Sequence, residues 1–200
     1  MKTLVLTCSS HAMYCGGYVT GLMESSQSPY WGGWLRMEKE SDIPRARSRL
    51  LALALKQPCD SYLFIDDDIV FRRSHFEDIC RPRDGVDVIG GVYVKRKHDG
   101  TPVFNGLLDT EHDEEKDLVQ VRQIGTGFLR LTRQALEQMA DLNLPVAADG
   151  WTHYFNNGIR KSSYYYTEDY AFCENCWMAG VPVWMHRAVR LGHYGPEIFT

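Results

Sequence analysis

Three consecutive carboxylates, Asp66, Asp67 and Asp68, stand between the apolar runs Tyr62-Leu63-Phe64-Ile65 and Ile69-Val70-Phe71. Like charges repel, and apolar neighbours draw them out of water, so such a cluster needs cationic partners. Hard divalent ions prefer oxygen ligands and bridge carboxylates to phosphates. The triplet therefore points to Mg²⁺ or Mn²⁺ and a phosphate-bearing ligand, with a turn of solvated aspartates as the structural alternative. Asp66 and Asp68 need not do the same job, because residues leaving a strand diverge.

Further chemistry-bearing residues lie downstream. His193 follows a glycine near the chain's end, where a half-buried structural histidine is the competing explanation. Glu168 and Asp169 follow Thr167 at the start of an expected helix, a place that favours acids through the helix dipole alone. Arg47 is either a helix-surface charge or a ligand-facing cation. Gly125-Thr126-Gly127 makes a tight turn or lets backbone approach a ligand closely. Trp151, His153, Tyr154 and Phe155, then Arg160, Lys161 and Tyr164 to Tyr166, form an aromatic and basic stretch. Such faces stack on sugars and nucleobases alike, although core packing accounts for about half of them.

Alternating apolar strands and amphipathic helices must position these groups. Strands are expected at Lys2–Cys8, Tyr30–Met37, Ser61–Ile65, Val86–Val94, Leu118–Gln123, Phe128–Leu131, Val181–His186 and Ala188–His193. Helices are expected at Tyr18–Glu24, at Pro44–Lys56 with Asp42 as cap, and from Ser74. Two more follow the caps Thr132 and Thr167, the last ended by Gly180. This alternation implies a single α/β domain with a mainly parallel sheet, whose ligands gather at the carboxyl ends of strands. Asp66 to Asp68 fall at such an end.

Composition adds bounds. Hydrophobic residues make up 44% and charged ones 24%, as in ordinary globular chains. The net charge of −4 is concentrated in 109–117, which holds six acids against one lysine and reads as an acidic loop. Basic clusters, including Lys95-Arg96-Lys97, remain elsewhere, so charge neither demands nor excludes a polyanionic partner. The six cysteines lack a second Cys-x-x-Cys to complete a zinc site, so Cys173 and Cys176 read as reduced, buried thiols. No long uncharged apolar run spans a membrane and the N-terminus lacks a cleavable leader, which together read as cytoplasmic.

Several ordered pieces resemble the GT-A fold glycosyltransferases. They are Ile43-Pro-Arg-Ala-Arg-Ser-Arg-Leu50, Asp60-Ser-Tyr-Leu-Phe-Ile-Asp-Asp-Asp-Ile-Val-Phe71 and Gly125-Thr-Gly-Phe-Leu-Arg130. Thr167-Glu-Asp-Tyr-Ala-Phe-Cys173 and Gly192-His-Tyr-Gly195 complete the set in the family's order. The resemblance implies transfer of a sugar from a nucleotide-sugar donor, UDP-linked in the first instance, with Mn²⁺ or Mg²⁺ as cofactor. Residues 1–95 would bind the donor and 96–200 would serve the acceptor and catalysis. It assigns donor contacts to Asp66, Asp67, Arg47 and Ser9, and metal contacts to Asp68, His193 and Asp66. It makes Asp169 the base of an inverting reaction, with Glu168 as the rival, and places Trp151, Tyr154 and Gly127 near the acceptor. The acceptor is left open among a hydroxylated base in DNA, as in phage-type relatives, a saccharide, and a lipid-linked or protein hydroxyl. Two other readings remain: a metal-dependent phosphoesterase or nucleotidyltransferase, and a non-catalytic nucleotide-sugar-binding module.

Overall fold

The apolar run near the N-terminus forms β1 (Thr3–Ser9), in which every residue is buried. A strand buried on both faces must lie between two layers, and the two cores of this protein show them. A computed structural model describes residues 1–95, 101–113, 117–159, 165–195 and 198–199; for 105, 107–113, 159, 198 and 199 the backbone alone is described.

After β1 come α1 (Gly16–Ser25), β2 (Trp31–Glu38) and α2 (Ile43–Ala54). Asp42 caps α2 as expected, its carboxylate accepting from the Arg45 amide at 3.2 Å, and Pro44 fits the first turn. Next are β3 (Ser61–Ile65), the two-residue β4 (Ile69–Val70), α3 (Arg73–Cys80) and β5 (Val88–Val92). The chain continues through β6 (Phe104–Asp113), β7 (Leu118–Ile124), β8 (Phe128–Thr132) and α4 (Arg133–Gln138), which Thr132 caps through the Ala135 amide. Short strands β9 (Gly158–Ile159) and β10 (Tyr165–Tyr166) precede α5 (Glu168–Met178), β11 (Val183–Arg190), β12 (Gly192–Tyr194) and β13 (Ile198–Phe199).

An eight-stranded sheet has the order β2-β1-β3-β8-β5-β11-β7-β6. Strands β2, β1, β3, β5, β11 and β6 run in one direction, while β8 and β7 oppose them. The α/β architecture with a largely co-directional sheet is therefore present, and β8 from the second half of the chain lies between β3 and β5. Alternate residues of each strand feed opposite cores. Leu4, Leu6, Tyr62, Phe64 and Leu129 join Leu50 of α2 and Phe172 of α5 on one face. Val5, Leu63, Ile65 and Phe128 join Tyr18 of α1 and Phe76 of α3 on the other.

Two expectations need correction. The acidic segment 109–117 is not simply a loop: through Asp113 it belongs to β6, which pairs antiparallel with β7 at the sheet's edge. Charged edge strands resist pairing with other chains, so acids are compatible with a strand there. Residues 114–116 lie outside the described residues, as do Arg96, Lys97, Arg160, Lys161 and Tyr164. The two strands expected at the end are one, β11, with a register shift between His186 and Arg190. The chain then leaves the main sheet to pair as β13-β12-β4. Among the described residues, no helix is long and apolar enough to cross a membrane.

Candidate active site

At the end of β3 the backbone turns. The Ile69 amide donates to the Asp66 carbonyl at 3.1 Å, closing a four-residue turn that fans the three carboxylates apart. Turn geometry, rather than strand alternation, therefore divides their surroundings. Asp66 faces α2, its two oxygens accepting from Arg47 Nη2 at 2.9 and 3.1 Å. The Asp67 carbonyl accepts from the Cys15 amide at the start of α1. Asp68 faces β12, where its Oδ2 lies 3.4 Å from His193 Nε2.

The small three-stranded sheet makes the last contact. β12 pairs antiparallel with β4 so that His193 stands opposite Ile69, and the Tyr194 amide donates to the Asp68 carbonyl at 2.7 Å. His193 Nδ1 lies 2.8 Å from the Val94 carbonyl. A carbonyl accepts only, so Nδ1 carries a proton and donates to it, which leaves Nε2 as the ring nitrogen that faces Asp68. A carbonyl-oriented imidazole of this kind is the usual preparation for metal ligation.

Arg47 is almost wholly buried, with a side chain 6% exposed. Besides Asp66 it donates through Nη1 to Glu168 Oε1 at 2.5 Å, tying α2 to the first turn of α5. Burial desolvates the guanidinium and pulls its pKa down, but Asp66 and Glu168 outweigh this and hold it above its usual value. Among the described residues, its buried Nε has no hydrogen-bond partner.

Asp169 occupies the same first turn but a different setting. Its Oδ1 accepts from the Thr167 hydroxyl and, at 2.8 Å, from the Tyr170 amide. The Thr167 side chain makes no capping bond to the helix backbone, contrary to expectation; its hydroxyl donates to Asp169.

Gly127 follows from close packing. A Cβ there would lie 2.7 Å from the Tyr93 hydroxyl and 3.2 Å from Asp66 Oδ2, and its own carbonyl accepts from the Asp66 amide. Tyr93 is the residue that sequence reasoning missed. Buried at the end of β5, it accepts from the Gly127 amide through its hydroxyl at 3.0 Å, and its ring meets His193 edge-on at 5.4 Å. Burial, then the charge of Asp66, pushes its phenol well above the ordinary range. The adjacent Gly90-Gly91-Val92 run is read as strand alone, and no spacing rule links a tyrosine there to Asp66 or His193.

Ser9 is buried beside β2, its hydroxyl donating to the Met13 carbonyl. The structure thus gathers Asp66, Arg47, Glu168 and Gly127 in one cluster, with Asp68 and His193 bridged to it through Tyr93. Trp151 and Tyr154 are not brought there. They line a cavity of about 430 Å³ with Leu53 and Lys56, beyond the second half of α2, whereas Arg47 lies in its first half. Phe155 next to them is core, between Phe64 and Phe172. Among the described residues, no group of three or more His, Cys, Asp or Glu forms a metal cluster. All six cysteines are free, Cys173 and Cys176 being buried in α5.

No protein-family model and no curated protein sequence matches the chain. Solved structures do match its shape. A197 from STIV shares 17% identity at a TM-score of 0.59, over 98% of this chain and 86% of that one. GalNAc-T7, solved with UDP, GalNAc and Mn²⁺, shares 10% identity at a TM-score of 0.57 over 96% of this chain, which spans 44% of its length. The inositol-1-phosphate CTP transferase from T. maritima shares 10% identity at a TM-score of 0.51, over 93% and 89%. The chain has a GT-A-type α/β fold, shared with glycosyltransferases and with a nucleotidyltransferase.

Proposed function

We propose that this protein is a glycosyltransferase that takes a sugar from a nucleoside-diphosphate sugar, with a divalent cation between Asp68 and His193. The observation that carries the reading is the β4–β12 pairing, which sets an oriented imidazole nitrogen against the last carboxylate of the triplet at a carboxyl-edge turn. Cis ligands on an octahedral ion with bonds of about 2.1 Å lie roughly 3 Å apart, so the Asp68–His193 separation of 3.4 Å fits one ion. Asp68 and His193 would be the protein groups that hold the ion. Bound there, Mn²⁺ or Mg²⁺ supplies charge stabilisation to the departing diphosphate. GalNAc-T7, of the same fold, was solved with UDP and Mn²⁺, which supports a UDP-sugar donor.

The chain's own residues do the rest. Arg47 holds Asp66 in place for the donor's ribose or base, with Asp67 and Ser9 on the same donor side. Glu168 Oε1 is committed to Arg47, which favours Asp169 as the base. Thr167 and the Tyr170 amide pin Oδ1 of Asp169, leaving Oδ2 to take the acceptor's proton. The acceptor oxygen bonds to the anomeric carbon as that carbon's bond to the diphosphate oxygen breaks. The electron pair leaves with the nucleoside diphosphate, and the anomeric centre inverts. Gly127 lets the backbone pass between Asp66 and the Tyr93 hydroxyl, where a Cβ would clash.

The second reading is nucleotidyl transfer, which the T. maritima transferase of the same fold supports. Products separate the two. Incubation with UDP-sugars and Mn²⁺ is expected to release UDP, and Asp68→Ala or His193→Ala is expected to abolish the release. Pyrophosphate formed from a nucleoside triphosphate, with no turnover of any nucleotide-sugar, would overturn the proposal.

A further inference from the structure

One cavity at the carboxyl edge has a composition that the proposed chemistry does not use. It lies between the start of α3, the end of β5 and the corner joining β11 to β12, with a volume of about 580 Å³. That is within the usual range for small-molecule sites, and its apolar lining with a few convergent polar groups is their usual make-up. Phe71, Val92 and Leu191 give it apolar walls, while Arg72, Arg190 and His75 supply polar groups. Among the described residues, no carboxylate lines it.

The two arginines are unlike most of the other described arginines. Seven other described arginines each pair with a carboxylate. Among the described residues, Arg72 and Arg190 pair with none and are exposed. His75 Nδ1 accepts from the Arg72 amide at 3.4 Å, which puts the neutral ring's proton on Nε2 and makes it a donor. Burial, reinforced by Arg72, lowers the His75 pKa and favours that neutral form. The cavity therefore offers two fork-shaped cations and a neutral donor above an apolar floor. Arginine forks match the oxygen geometry of phosphate.

The position matters as much as the charge. Tyr93 lines this cavity and also meets the His193 ring edge-on, while Gly192 lines it immediately before His193. A ligand held here lies one side chain away from the Asp68–His193 pair. We propose that the cavity is an acceptor subsite that binds a phosphate group carried by the acceptor, through Arg72 and Arg190. This rests on the glycosyltransferase reading and names the acceptor's chemical class. The phosphate can belong to a small phosphomonoester or to the backbone of a nucleic acid, and the shared chemistry is what the site recognises.

Calorimetric titration without donor or Mn²⁺ tests it, using inorganic phosphate, phenyl phosphate and a short single-stranded oligodeoxynucleotide. Phenyl phosphate is expected to bind more tightly than inorganic phosphate because of the apolar floor. Arg72→Gln with Arg190→Gln should weaken the preferred probe by about tenfold or more. Arg81→Gln with Arg187→Gln, two exposed arginines paired with acids, should leave it unchanged. Preference for the oligonucleotide, with steep salt dependence, identifies a nucleic-acid source; preference for phenyl phosphate identifies a small acceptor. Unchanged binding in the Arg72/Arg190 variant, or equal weakening in the control pair, overturns the proposal. Mn²⁺-dependent hydrolysis of the donor by water, measured on the same proteins, is expected to survive both pairs of substitutions. Its absence in the wild type would count against the transferase reading, and with it the acceptor role, while leaving any phosphate-binding result standing on its own.

Discussion

Replacing Arg47 with methionine removes the cation between Asp66 and Glu168 while keeping most of the buried side-chain volume. Two carboxylates then face each other with side chains 33% and 19% exposed, and neither keeps this partner. Breaking a buried ion pair by deleting one member costs about 3–5 kcal/mol, and partial exposure of the carboxylates places this case near the lower end, about 3 kcal/mol. For a domain of this size, 1 kcal/mol moves Tm by roughly 2–4 °C, so a fall of about 6–12 °C is expected. Differential scanning calorimetry reads it directly. Adding Glu168→Gln should recover part of the loss, since one of the two opposed charges disappears, and the cycle should show coupling of about 1 kcal/mol or more. A variant melting within about 1 °C of the wild type would refute the assignment of Arg47 as the tie between α2 and α5.

The remaining predictions address other parts of the molecule. Gly127→Ala sets a methyl 2.7 Å from the Tyr93 hydroxyl, so denaturant titration should show a loss of about 1–3 kcal/mol, partly relieved by Tyr93→Phe. His186 is buried, and burial, with Arg83 second, lowers its pKa from 6.5. The folded state therefore binds fewer protons than the unfolded one. Stability should be full above about pH 6.5 and fall as the pH drops through the lower folded value, and His186→Gln should flatten that decline. Cys173 is buried and desolvation pushes its thiol up to about 12, so iodoacetamide should label the partly exposed Cys15 well before Cys173 or Cys176, as peptide mass spectrometry would show.

Much of the fold was legible because local signals agreed. Asp42, Pro44 and the apolar spacing of Leu50, Leu51 and Ala54 fix α2 in one dimension, and the structure places the helix there. The unbroken apolar runs of β1 and β3 announce strands covered on both faces. The triplet's place at a carboxyl edge follows from β3 alone. What stayed hidden depends on pairing between distant segments. Opposing Ile69 to His193 needs β12 to leave the main sheet, and no local pattern reports that departure. Tyr93 gains its role only because Gly127 and His193 arrive on either side of it. Trp151 and Tyr154 have aromatic faces suited to an acceptor, and the path of 151–155 beside α2 sets them in a cavity with Leu53 and Lys56. The segment 109–113 looked like loop because charge obscures the weak signal of an edge strand.

The proposed transfer requires a divalent ion held by Asp68 and His193. Electron paramagnetic resonance titration of Mn²⁺, with and without UDP, measures that ion's environment and affinity in one experiment. The expected result is a bound signal tightened by UDP, broadened by the imidazole nitrogen, and weakened about tenfold or more by His193→Ala and by Asp68→Ala. Equal Mn²⁺ affinity in wild type and both variants, or a signal indifferent to UDP, would contradict it.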